Sequence, residues 1–159
     1  MVINYNYDGF GDLISRSTPF ASSTVLGNTN YPDLKGKVLF YQAPKGVVVV
    51  AEIENLPKTE TNIFAFHIHD GENCEFVKDE YINIGEHYNP TNTSHPKHAG
   101  DLPPLFSNNG LAWMAVLTDR FEIKDVVDKF VIIHANPDDF TTQPSGNSGE
   151  KIACGIIKI

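Results

Sequence analysis

The sequence predicts an all-β fold, an antiparallel sandwich or barrel of about eight short strands. Runs of β-branched and aromatic residues are short, such as Val47-Val48-Val49-Val50 and Phe130-Val131-Ile132-Ile133. Turn-forming clusters separate them, as at Ala43-Pro44-Lys45-Gly46 and Asn108-Asn109-Gly110. Two long stretches, 70–101 and 135–150, read as loops, the first with almost no apolar periodicity.

Residues 1–21 mix Asn, Gly, Ser and Pro with isolated aromatics (Tyr5, Tyr7, Phe10, Phe20), which predicts an irregular N-terminal arm. Residues 22–159 read as one domain without repeats. Strands are expected at Ser23–Gly27, Lys37–Gln42, Val47–Glu54 and Asn62–His69. Asn108-Asn109-Gly110 predicts a hairpin between Leu105-Phe106 and Leu111–Thr118. Asp119–Lys129 is charged, with room for one helical turn, and Phe130–His134 is a further strand. The last strand starts at Lys151.

The chain has 159 residues, enough for one domain with a real core, and its 41% hydrophobic content is ordinary. A formal net charge of −8 argues against a nucleic-acid partner, which needs clustered Lys and Arg, but not against an anionic substrate steered by a local field. No apolar stretch approaches the roughly 20 residues of a membrane helix, so no membrane partner is expected. Cys74 and Cys154 permit one internal disulfide and lie too far apart for a CxxC motif.

The 6 histidines all fall between positions 67 and 134. His67 and His69 are two apart at the end of a strand, so both imidazoles face one side. His87, His95, His98 and Asp101 follow in one polar stretch, and His134 ends a later strand. A single histidine of this kind is most often a surface or core residue. Together, these ligand types and spacings suffice for two metal ions.

Five motifs carry a resemblance: Phe66-His67-Ile68-His69, His87-Tyr88-Asn89-Pro90, His98-Ala99-Gly100-Asp101-Leu102, Val131-Ile132-Ile133-His134, and Gly146-Asn147-Ser148-Gly149 running to Ala153-Cys154-Gly155. Through them residues 22–159 resemble the copper/zinc superoxide dismutases. The resemblance implies an eight-stranded Greek-key β-barrel with two long functional loops. It implies copper at His67, His69, His87 and His134, and zinc at His87, His95, His98 and Asp101. His87 would be shared, since imidazole has two ring nitrogens. Asp138 resembles an aspartate that links a copper histidine to a zinc histidine, and Cys74 with Cys154 resembles the family's disulfide.

The activity so implied is conversion of superoxide to dioxygen and hydrogen peroxide, with copper cycling between oxidation states and His87 exchanging a proton. Lys151 stands where the family usually has an arginine that docks superoxide. It keeps the charge but loses the planar fork. The alternative is a copper/zinc-binding, dismutase-like protein with little catalytic activity. Only two residues separate His95 from His98, a short zinc loop. The stretch from Cys74 to His87 is longer than usual, and the one from His134 to Lys151 is trimmed. A cytoplasmic location is expected because no leader is visible, the alternative being an oxidising, extracytoplasmic compartment. Oligomeric state is open, with a homodimer as the candidate.

Overall fold

The computed structural model describes residues 9–159. A short helix, α1 (Phe10–Arg16), precedes β1 (Ala21–Gly27), β2 (Lys35–Ala43), β3 (Gly46–Glu54) and β4 (Ile63–Gly71). Three short strands follow, β5 (Phe76–Val77), β6 (Glu80–Tyr81) and β7 (Ile84–His87). Then come β8 (Asp101–Phe106), β9 (Ala112–Thr118), the single turn α2 (Ile123–Val126), β10 (Phe130–His134) and β11 (Lys151–Lys158).

In β1, Ala21, Ser23 and Val25 are buried and their neighbours are not, the two-residue period of a strand with one face on a core. Val38 and Phe40 of β2, and Val47, Val49, Ala51 and Ile53 of β3, continue that face. The sheet runs β7-β4-β10-β11-β1-β2-β3-β9, with β8 pairing β4, and every pairing is antiparallel. The links β3–β4 and β9–β10 therefore cross from one end of the sheet to the other, curling it into a Greek-key barrel. Phe64, Phe66 and Ile68 of β4 and Val131 and Ile133 of β10 fill its interior.

Three expectations need correction. The N-terminal arm is helical over Phe10–Arg16, where Asp12 and Arg16 pair at 2.7 Å across one turn. Leu13 and Ile14 of this helix pack on Tyr41, Val48 and Val50, on the outer face of β2 and β3. That contact, rather than the helix's own propensity, accounts for so short a helix. Tyr5 and Tyr7 of the expected arm lie outside the described residues. Second, the stretch 70–101 holds β5, β6 and β7. A turn with positive φ at Lys78 and Asp79 joins β5 to β6, and β7 pairs with β4.

Third, the turn at Asn108–Leu111 forms, with reciprocal main-chain hydrogen bonds of 2.8 and 3.1 Å, but its flanking strands part. β8 pairs with β4 and β9 with β3. Pro103 and Pro104 in β8 have no N–H to donate, which suits a strand at the seam of the barrel better than one arm of a hairpin.

Candidate metal centre

Inward-facing Phe64, Phe66 and Ile68 alternate along β4 with His67 and His69, so both imidazoles point out of the barrel. They are nonetheless 0% and 3% exposed, because the loops cover that outer face. His87 ends β7 directly opposite His69. His134 ends β10, two residues after outward-facing Ile132, at an irregularity in its pairing with β11. These strands bring one ligand atom each from His67, His69, His87 and His134 to within 4.8 Å of one another.

Hydrogen bonds set the tautomers. His69 Nδ1 donates to the Gly85 carbonyl at 2.9 Å, and His134 Nδ1 donates to the Gly149 carbonyl at 3.3 Å. Their Nε2 atoms then carry lone pairs, yet they face each other at 3.1 Å. Two lone pairs so placed repel unless a cation lies against both. His67 Nε2 donates to Asp138 Oδ2 at 2.8 Å, which leaves His67 Nδ1 a buried acceptor without a partner. His87 Nε2 is also buried and unpartnered. Orphaned nitrogens in one pocket are what a metal would satisfy. Burial, then the neighbouring imidazoles, pushes the pKa of His69 and His134 well below the usual histidine value. Both rings are therefore neutral and ready to ligate.

A second donor set begins on the far side of His87. Ligand atoms of His87, His95, His98 and Asp101 also lie within 4.8 Å of one another. Asp101 Oδ1 is 2.6 Å from His87 Nδ1, and Oδ2 is 3.1 Å from His95 Nδ1 and 3.3 Å from His98 Nδ1. His95 Nε2 donates to Asp138 Oδ1 at 2.8 Å, so His95 Nδ1 presents a lone pair toward a carboxylate. It has no hydrogen-bond partner. Three imidazoles and one carboxylate suit tetrahedral zinc, and four imidazoles suit copper.

Asp138 thus accepts from a histidine of each set, one per oxygen. Burial raises its pKa, but the hydrogen bonds from His67, the Phe140 N–H and His95 outweigh this and hold it at about 2. Gly146 makes room for the bridge: its φ is +69°, and a Cβ there would collide with the Asp138 carboxylate and His95 Nε2. Gly100 has the same role for the loop, since a Cβ would strike the Ile68 carbonyl of β4.

Cys74 and Cys154 form a disulfide that ties the 70–101 stretch to β11. Their side chains pack with Tyr81, Phe130 and Ile132. Lys151, at the start of β11, lines an open cleft with His69, His87, His134 and Glu86. Its ammonium has no hydrogen bond or ion pair among the described residues. The carbonyls of Gly85 and Gly149, which orient two of the rings, were not anticipated, because they act through the main chain and no residue type marks them.

Sequence comparison places this geometry among known proteins. The copper/zinc superoxide dismutase (SODC) family profile matches residues 34–157. A "Superoxide dismutase [Cu-Zn]" of Legionella pneumophila is 36% identical over 131 residues, 77% of each chain. The protein of that name from Escherichia coli K12 is 33% identical over 138 residues, covering 77% of this chain and 78% of that one. A crystal structure of a double mutant of a SOD-like protein from Bacillus subtilis superposes with a TM-score of 0.71 at 25% identity, covering 87% of this chain and 97% of that one. The chain belongs to the copper/zinc superoxide dismutase family.

Proposed function

We propose that this chain is a superoxide dismutase in which two superoxide anions and two protons give dioxygen and hydrogen peroxide. The observation that carries this reading is the shared histidine: His87 belongs to both donor sets, one of which opens onto the cleft that Lys151 lines. His67, His69, His87 and His134 would hold copper, and His87, His95, His98 and Asp101 zinc. Bound copper supplies a one-electron redox couple, and zinc a fixed positive charge.

The residues do the rest. Lys151 draws the anion into the cleft; its charge already reaches His134, whose pKa it helps to lower. His87 holds and releases a proton at Nε2, its buried unpartnered nitrogen, while its Nδ1 meets Asp101. Asp138 keeps His67 and His95 in the tautomers that leave both Nδ1 atoms free. The loops keep water off the histidines except at the cleft.

A superoxide-decay assay on chain loaded with measured copper and zinc tests the proposal. Catalytic decay that scales with copper occupancy is expected, and full occupancy with negligible turnover would overturn it. One observation favours a second reading, a metal-binding homologue of low activity: lysine stands at 151 in place of the arginine usual in the family. The same assay separates the two. The disulfide supports an oxidising, extracytoplasmic compartment over the cytoplasmic one expected. No helix among the described residues is long and apolar enough to cross a membrane. A homodimer is part of this reading through the family resemblance alone, and sedimentation of the metal-loaded chain checks it.

A further inference from the structure

The segment His95–Asp101 supplies three of the four donors of the second set, yet it contains no regular element beyond the first residue of β8. Besides Thr93, which donates to the Lys97 carbonyl at 2.9 Å, its main chain is held by two side chains from distant connections that belong to neither donor set. Arg120, on the connection after β9, directs Nη1 at three carbonyls of this segment: Pro96 at 2.9 Å, His98 at 3.3 Å and Asp101 at 3.3 Å. On the other side, Gln143 of the 135–150 loop pairs with His95 as a strand neighbour would. Its Nε2 donates to the His95 carbonyl at 2.7 Å, and its Oε1 accepts the His95 N–H at 2.9 Å.

We propose that Arg120 and Gln143 are positioning residues that hold the His95–Asp101 main chain in its ligand-presenting conformation. The inference rests on the reading that this donor set takes zinc. Convergence of three carbonyls concentrates negative charge at one point, and a guanidinium neutralises it while fixing their mutual orientation. Without Arg120 the carbonyls turn outward to water, and His98 and Asp101, whose side chains leave the same backbone, turn with them. Without Gln143 the His95 N–H and carbonyl lose both partners, and the ring loses its fixed approach to Asp101. Both positioning side chains are exposed, so their removal leaves the barrel core intact.

The test measures dissociation constants for zinc and for copper by chelator competition. It compares the wild-type chain with Arg120→Ala, Arg120→Lys, Gln143→Ala and Gln143→Glu. Each alanine variant is expected to weaken zinc about tenfold or more, the range for residues that orient ligands. Copper should weaken less, and the unfolding midpoint of the metal-free chain should hold. Arg120→Lys should recover part of the loss through its charge. Gln143→Glu should not, since it cannot donate to the His95 carbonyl. With cobalt in place of zinc, the alanine variants should also shift the visible ligand-field bands. Wild-type zinc affinity in both alanine variants would overturn the proposal, as would equal losses of zinc and copper. A wild-type chain that binds no zinc overturns the metal reading itself, and this inference with it.

Discussion

His67 Nε2 donates to Asp138 Oδ2 at 2.8 Å, with both side chains at or below 1% exposure. The same carboxylate takes His95 with its other oxygen, so one acidic side chain fixes a ring in each donor set. Asp138→Asn keeps the shape but offers only one acceptor oxygen; its NH₂ meets the second ring as donor against donor. One imidazole must then flip its tautomer and lose the free Nδ1. A loss of about 10–100-fold is expected for the metal whose ring meets the NH₂, and Asp138→Ala, which removes both acceptors, should weaken both metals, measured by chelator competition. A loss confined to one metal in Asp138→Ala contradicts the bridging role.

The buried histidines make the metal-free chain acid-sensitive. His69 and His134 titrate well below 6.5 in the fold, chiefly through burial, so the unfolded chain binds more protons in that range. Stability is therefore full above about pH 6.5 and declines as pH falls below it. Asp138 adds a second decline as pH falls from 3.8 toward about 2, worth on the order of 2 kcal/mol. Urea unfolding of the metal-free chain against pH checks both steps, and His69→Gln should shrink the first. A flat profile between about pH 7 and 5 contradicts this account.

The strands that build the barrel were legible because Val47–Val50 or Phe130–Ile133 fit a pleated, buried surface and little else. β5 and β6 were not, since two-residue strands such as Glu80–Tyr81 have no period to read; the fold makes them through a positive-φ turn and the packing of Tyr81 against Phe76, in one cluster with Phe130. Pairing across Asn109-Gly110 misled for a different reason. The turn chemistry was right, but Pro103 and Pro104 and the closure of the sheet decide the partners of β8 and β9. In the metal centre, ligand candidates announce themselves by residue type and spacing. Arg120 and Gln143 do not, because what they hold is main chain and the contact exists only once distant loops meet.

The disulfide joins Cys74 to Cys154 across 80 positions. In the chain-entropy model, closing a loop of that span stabilises by roughly 4–5 kcal/mol, and measured losses for native disulfides run about 2–5 kcal/mol. Cys74→Ser should lower unfolding free energy within that range. It should also loosen the stretch that carries Gly85 and His87, weakening copper as well as stability. Urea unfolding and copper titration read the two effects. An unchanged unfolding curve contradicts the staple.

Lys151 sits at the cleft of a protein whose formal net charge is −8, so its positive charge acts against the molecule's own field. The adjacent carboxylate does not neutralise it: Glu150 accepts from the Tyr31 hydroxyl at 3.0 Å, and no ion pair joins Glu150 to Lys151. Glu86, across the same cleft, opposes it. Lys151→Ala should therefore lower kcat/KM about tenfold, within the range of electrostatic steering. The wild-type rate should fall as salt screens Lys151, and the alanine variant should lose that dependence. Lys151→Arg restores a planar fork able to hold an anion by two hydrogen bonds, so its rate should equal or exceed that of the wild type. Copper content, measured in parallel, should stay constant, because Lys151 belongs to neither donor set. If both variants match the wild type at low ionic strength, the anion is drawn in by other charges and Lys151 is only the first residue of β11.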